Sequence, residues 1–255
     1  KIQIDGNLRA NLAHYRATLK YYARFPEAEA GGKSATNLSI NRDELKTLKR
    51  TFLTRFPDFE ALGFGAKAGG YWAAERSYKD TVLASFREAL EHQGQTPESL
   101  GQMLINILQT PPANFVGWRT FSQIKSAGSE AEGAVAAALG TMVRDEGDVP
   151  TAAAKCAATI HPLITGGKLD NKAYGQVRSL VTSVIALAKP DEAVAIKTRF
   201  MQRAAKKLLG RALFQAQVMT EREYSDVLSF IDAIASIMRE EWNWTPEDLW
   251  DVQGF

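Results

Sequence analysis

One cysteine, Cys156, and three histidines are spread over 255 residues, which excludes an internal disulfide and leaves few side chains for nucleophilic or metal chemistry. Nowhere do about eighteen uncharged apolar residues run together, so no bilayer span and no membrane partner are expected. Alternating apolar and polar stretches bounded by Asn-Gly or Asp-Gly turns are missing, which argues against a sheet. No Gly-x-Ser-x-Gly elbow supports a serine nucleophile. His14, His92 and His161 lie far apart, and Cys156 and His161, five residues apart on one helix, diverge by about 140°. Gly32-Lys33-Ser34 lacks the upstream glycine of a phosphate loop, because Glu27 stands there. Glu44-Leu45-Lys46 imitates an acid-x-lysine nuclease site but sits in the first turn of a helix. No catalytic residue, metal ligand or cofactor is therefore expected in this sequence. The lone cysteine and the absence of a basic, apolar leader favour the cytoplasm. The start at Lys1 and the stop inside an apolar, aromatic run read as a piece excised from something longer.

What the sequence does contain is helical period and helical punctuation. With 45% apolar side chains it can bury a large core. Helices are expected over 6–25, 41–56, 70–92, 97–109, 115–125, 130–144, 151–164, 171–188, 190–218 and 221–242, with a terminal piece from Pro246. Thr96-Pro97-Glu98, Thr220-Glu221-Arg222-Glu223 and Thr245-Pro246-Glu247 each set a hydroxyl before a helix and an acid in its first turn, and Thr220 with Glu223 has the spacing of a capping box. Long turns fall at 26–39, 57–70, 110–114 and 166–170. The expected fold class is all-α, a multi-helix bundle of about ten helices in two helical subdomains. These are residues 1–95 as an N-terminal helical module and 96–255 as a helical bundle leading into a further C-terminal domain.

Charge is segregated along the chain, although the formal net charge is only +2. Residues 197–211 hold six cations and no acid, whereas 221–255 hold nine acids against Arg222 and Arg239. On a helix Arg199, Arg203, Lys207 and Arg211 step by four and share one side, with Lys206 beside Arg203. Met201, Ala204, Ala205, Leu208, Leu209 and Ala212 form the opposite side. Such a row can lie against the phosphates of DNA, each contact adding about one unit to the salt slope of affinity. It can equally pair with the acidic tail, and the two readings differ in whether the cations stay open to solvent.

A second candidate follows the glycines at 69 and 70. Tyr71, Trp72, Arg76 and Lys79 are positioned to form an aromatic and cationic mouth that stacks a base and holds its phosphate. The structural alternative is an ordinary first turn in which Glu75 and Lys79 form an i to i+4 pair. Trp118 and Arg119, after Pro111-Pro112, pose the same alternative, with packing as the expected role.

Three segments also carry a family likeness. Gly70-Tyr71-Trp72 with Glu75-Arg76-x-Tyr78-Lys79, then Asn114-Phe115-x-Gly117-Trp118, then Trp244-x-Pro246-x-Asp248-Leu249-x-Asp251-Val252-Gln253-Gly254-Phe255 resemble stretches upstream of the motor in McrB-like AAA+ proteins of bacterial type IV restriction and related defence systems. The final segment resembles the lead-in to the nucleotide-binding domain. The resemblance implies a non-catalytic DNA-targeting region of an antiviral restriction ATPase, partnered by a C-terminal motor domain and a nuclease subunit. The family's phosphate loop and magnesium-holding acid have no counterpart here, so nucleotide hydrolysis is not implied for these residues. The other class of function is a helical interaction scaffold that recognises a partner subunit or a phage protein.

Overall fold

The described residues are all helical in class, as the helical period predicts. A computed structural model describes residues 38–64, 70–92, 94–165 and 173–255. The helix expected over 6–25 and the turns over 26–37 and 166–170 lie outside the described residues, as do the side chains of Tyr71 and Trp72. Eleven helices follow in order among the described residues. They are α1 Arg42–Arg55, α2 Phe59–Leu62, α3 Gly70–Glu91, α4 Pro97–Gln109, α5 Trp118–Ser126, α6 Ser129–Arg144, α7 Val149–Thr165, α8 Ala173–Ala188, α9 Thr198–Leu209, α10 Glu221–Trp242 and α11 Leu249–Gly254. No strand occurs among these residues, and no helix there is long and apolar enough to cross a membrane.

Helix α8 is the axle of the bundle. Val177, Leu180, Val181, Val184 and Ile185 are all buried, because α3, α5, α6, α7 and α9 each pack against it. A helix apolar on so many sides has no solvent face to give up, which is where a large core puts its most hydrophobic segment. Helices α4 and α6 make the closest pairing. A Cβ on Gly101 would stand 1.8 Å from the Ala136 carbonyl oxygen, and one on Gly140 would stand 1.9 Å from that of Pro97, so both glycines are contact points between backbones. Helices α3 and α4, which flank residue 95, pack together, and residues Leu38–Phe255 form one compact unit.

Local chemistry sets the helix ends. Asn41, Thr96 and Thr220 accept from the backbone amides of Glu44, Ser99 and Glu223, satisfying donors that have no partner inside the helix. The capping box at Thr220 is only half made, however. The Glu223 carboxylate turns outward to accept from the amides of Gln215 and Ala216, at 2.8 and 2.7 Å, and from Arg178 at 3.0 Å. Thr245 caps nothing that begins at Pro246; Asp248 caps α11 instead, accepting from Trp250 and Asp251.

The helix expected over 190–218 is much shorter than its periodic pattern. Residues 193–197 form no regular secondary structure, and Ala193, Val194, Ala195 and Ile196 are buried. A buried non-helical segment needs partners for its backbone. Tyr224 supplies them by donating its hydroxyl to the Val194 carbonyl at 2.9 Å while accepting from the Val194 amide at 3.1 Å, and Thr182 accepts from the Ile196 amide at 2.8 Å. At the other end Gly210 takes a left-handed conformation (φ 67°, ψ 5°) and stops the helix. Arg211 is therefore past the helix and not the fourth step of its row.

Candidate nucleic-acid interface

The core side of α9 is made by Met201, Ala205 and Leu208, spaced i, i+4, i+7, which are buried against α1 and α8. Arg199, Arg203 and Lys206 repeat that spacing two residues earlier and are exposed, as a rotation of about 200° over two residues requires. The helix is held from both ends. The amide of Asn41 donates to the Leu208 carbonyl at 2.8 Å, and Gln202 accepts from the amides of Leu213 and Phe214, both at 3.1 Å, folding the following loop back under the helix. Arg178, buried on α8, donates to the Ala216 carbonyl and to Glu223, and its guanidinium lies 5.3 Å from the Phe214 ring. The cationic face is thus mounted on a fixed backing.

Its charges are mostly uncovered. Arg211 Nη2 meets Asp226 at 3.3 Å and Lys207 Nζ stands 4.0 Å from Glu44, both near solvent, where such pairs hold weakly. Among the described residues, Arg199, Arg203 and Lys206 have no carboxylate within ion-pair distance. Among the described residues, Asp226 is the tail acid seen to pair with the 197–211 run. Other tail acids are committed elsewhere, Glu223 to Arg178, Glu241 to Arg42, and Asp248 and Asp251 to Arg76. One residue that charge reading passed over also lies on this side of the helix: Phe200, 66% exposed.

The second expected cluster is placed differently. Arg76 and Lys79 are each only 6% exposed, so neither is an open surface cation, and the mouth proposed for residues 71–79 is corrected at these two positions. Arg76 donates through Nε to Asp80 at 2.8 Å, through Nη1 to Asp248 at 2.9 Å and Asp251 at 3.1 Å, and through Nη2 to the second oxygen of Asp248 at 2.8 Å. This two-pronged grip on Asp248 is the geometry a planar guanidinium favours. Burial opposes its charge, but Asp248, then Asp251 and Asp80, outweigh burial and hold the guanidinium above its ordinary pKa. Burial instead pulls the Lys79 ammonium below its usual value, against the pull of Glu75 at 4.0 Å. Asp251 is fully buried, and that burial together with the Asp248 charge pushes its carboxyl up to about 6, although the Glu247 amide and Arg76 oppose the shift.

Segments 70–79, 114–118 and 244–255 meet at this place. Arg76 from the first binds Asp248 and Asp251 of the third. Phe115 of the second stacks 5.7 Å from Tyr78 and 5.0 Å from Trp250, and the Trp250 indole donates to the Ala186 carbonyl on α8 at 3.2 Å. Trp244 and Phe255 close a neighbouring aromatic cluster with Phe52. These residues act as a latch that fixes the chain's last segment to α3 and α8.

Trp118 was expected to pack and does not. It is 71% exposed, with the Arg119 guanidinium 5.5 Å from its ring, and it borders an open groove of about 750 Å³ lined also by Leu108, Val116, Phe121 and Lys125. Cys156 is buried, and burial pushes its thiol up to about 12, so it stays protonated. No family model, curated protein or solved structure matches the chain.

Proposed function

We propose that this bundle is a non-catalytic DNA-binding module that targets a bacterial restriction-type, anti-phage defence ATPase, with a C-terminal motor domain and a nuclease subunit as its partners in the cytoplasm. The DNA-contacting side chains are Arg199, Arg203, Lys206 and Lys207. The observation that carries the reading is the open cationic face of α9, left uncovered while tail acids bind buried arginines. Three unpaired cations and the loosely paired Lys207 along about 12 Å of helix match the spacing of successive phosphates closely enough to neutralise several of them. The affinity would be electrostatic and steeply salt-dependent. Its test is fluorescence anisotropy of a labelled DNA with the wild type and with Arg203→Glu, Lys206→Glu, Lys207→Glu combined. Loss of binding at an unchanged unfolding midpoint supports the reading, and undiminished binding removes α9 from it.

A second reading draws on Trp118 and its groove. A largely exposed tryptophan beside a groove of mixed polar and apolar lining is the anchor type that protein interfaces use, and it favours a helical scaffold for a partner subunit or a phage protein. Its mark would be a wild type with no measurable DNA affinity for the α9 charge reversals to remove.

A further inference from the structure

Resting on the DNA reading above, we propose that the α9 face takes single-stranded DNA, with the Phe200 ring as the platform for one base while Arg199, Arg203, Lys206 and Lys207 hold the flanking phosphates. Of the other large apolar side chains of α9, Met201 and Leu208 are buried and Leu209 is partly buried against the core, whereas Phe200 is 66% exposed. In helical projection it lies about 20° from Lys207 and about 60° from Arg203, at the Lys207 edge of the cationic arc. Among the described residues no ring stacks on it and no cation caps it.

Charge and ring together narrow the occupant. The cations call for phosphates, and an isolated ring at their edge calls for another flat, apolar face. A duplex offers phosphates but keeps its base faces stacked inside, so one ring on a convex helix has nothing to contact. A single strand exposes both. Protein docking would use a contiguous apolar patch, and a single phenylalanine is too little for an interfacial membrane helix. The fixed backing of α9 by Asn41, Gln202 and the 211–219 loop means that the ring and the cations stay in register before DNA arrives.

The test uses the full chain and three labelled probes: oligo(dT), a mixed-sequence duplex, and an abasic strand of the same sugar-phosphate backbone. Phe200→Ala is expected to weaken oligo(dT) binding about fivefold or more, the worth of one stacked base, with an unchanged salt slope and unfolding midpoint. Phe200→Trp restores the affinity, and the abasic strand binds wild type and Phe200→Ala equally. The inference is overturned if Phe200→Ala leaves oligo(dT) binding intact while the charge reversals abolish it, since α9 then binds phosphate alone. It is overturned too if Phe200→Ala weakens abasic and dT strands alike, or if its only loss is in sedimentation with phosphatidylserine vesicles. Charge reversals that change nothing defeat the underlying DNA reading, a separate outcome.

Discussion

Arg76 and Arg203 are the same side chain in opposite circumstances. Arg76 is sealed among Asp80, Asp248 and Asp251, and Arg203 projects from α9 with no carboxylate in reach among the described residues. A buried guanidinium with fully formed partners is costly to disturb, because removing it strands charge in a medium that solvates charge poorly. An exposed one can be removed at little cost to folding. The molecule thus separates cations that hold the fold from cations that are free to hold something else, and the acidic tail decides which is which.

The largest effect should come from Arg76. Arg76→Ala strips Asp248 and Asp251 of every charged hydrogen bond from a guanidinium and leaves Lys79 as the nearby cation, and urea unfolding should show a loss of about 3–5 kcal/mol. A loss below about 1 kcal/mol would mean that the latch is not a buried ion cluster. Next is pH. The Asp251 carboxyl titrates at about 6 in the fold and near 3.9 when unfolded, so between those values the folded state holds more protons. Stability should therefore fall as pH rises from about 4 to 6, by at most about 3 kcal/mol, and level off above that. Asp251→Asn should flatten the curve, and a wild-type curve that rises across this window would contradict the assignment. Smaller again is Arg211→Ala, which breaks a surface pair with Asp226 and should cost at most about 1 kcal/mol. Smallest is Arg203→Glu with Lys206→Glu, which should change unfolding by no more than about 0.5 kcal/mol while abolishing most DNA affinity.

Which of these circumstances a cation meets is not visible in its neighbours along the chain. Helical period located α1, α3, α4, α6, α7, α8 and α10 to within a few residues, since each carries its own apolar face and most carry a capping residue. It overran α9 because residues 190–197 share that apolar pattern yet form a turn and an irregular segment, whose Val194 and Ile196 amides are satisfied by Tyr224 and Thr182, distant in sequence. The burial of Arg76 was equally hidden, because its partners Asp248 and Asp251 lie 172 and 175 residues away. The exposed row of α9 was legible, as period alone opposes Arg199, Arg203 and Lys206 to Met201, Ala205 and Leu208. Phe200 was legible by the same geometry, but charge drew the eye past it. Trp118 was not, because an aromatic after a proline turn has no periodic signal to say which way it faces.

The most direct measurement is the slope of log Kobs against log salt for oligo(dT), taken from about 50 to 200 mM with wild type and with the α9 reversals. Three or four phosphate contacts predict a wild-type slope of about −2 to −3 and the loss of nearly all of it in the reversed protein. A slope near zero, or one that survives the reversals, would contradict the claim that the open face of α9 is where this protein meets nucleic acid.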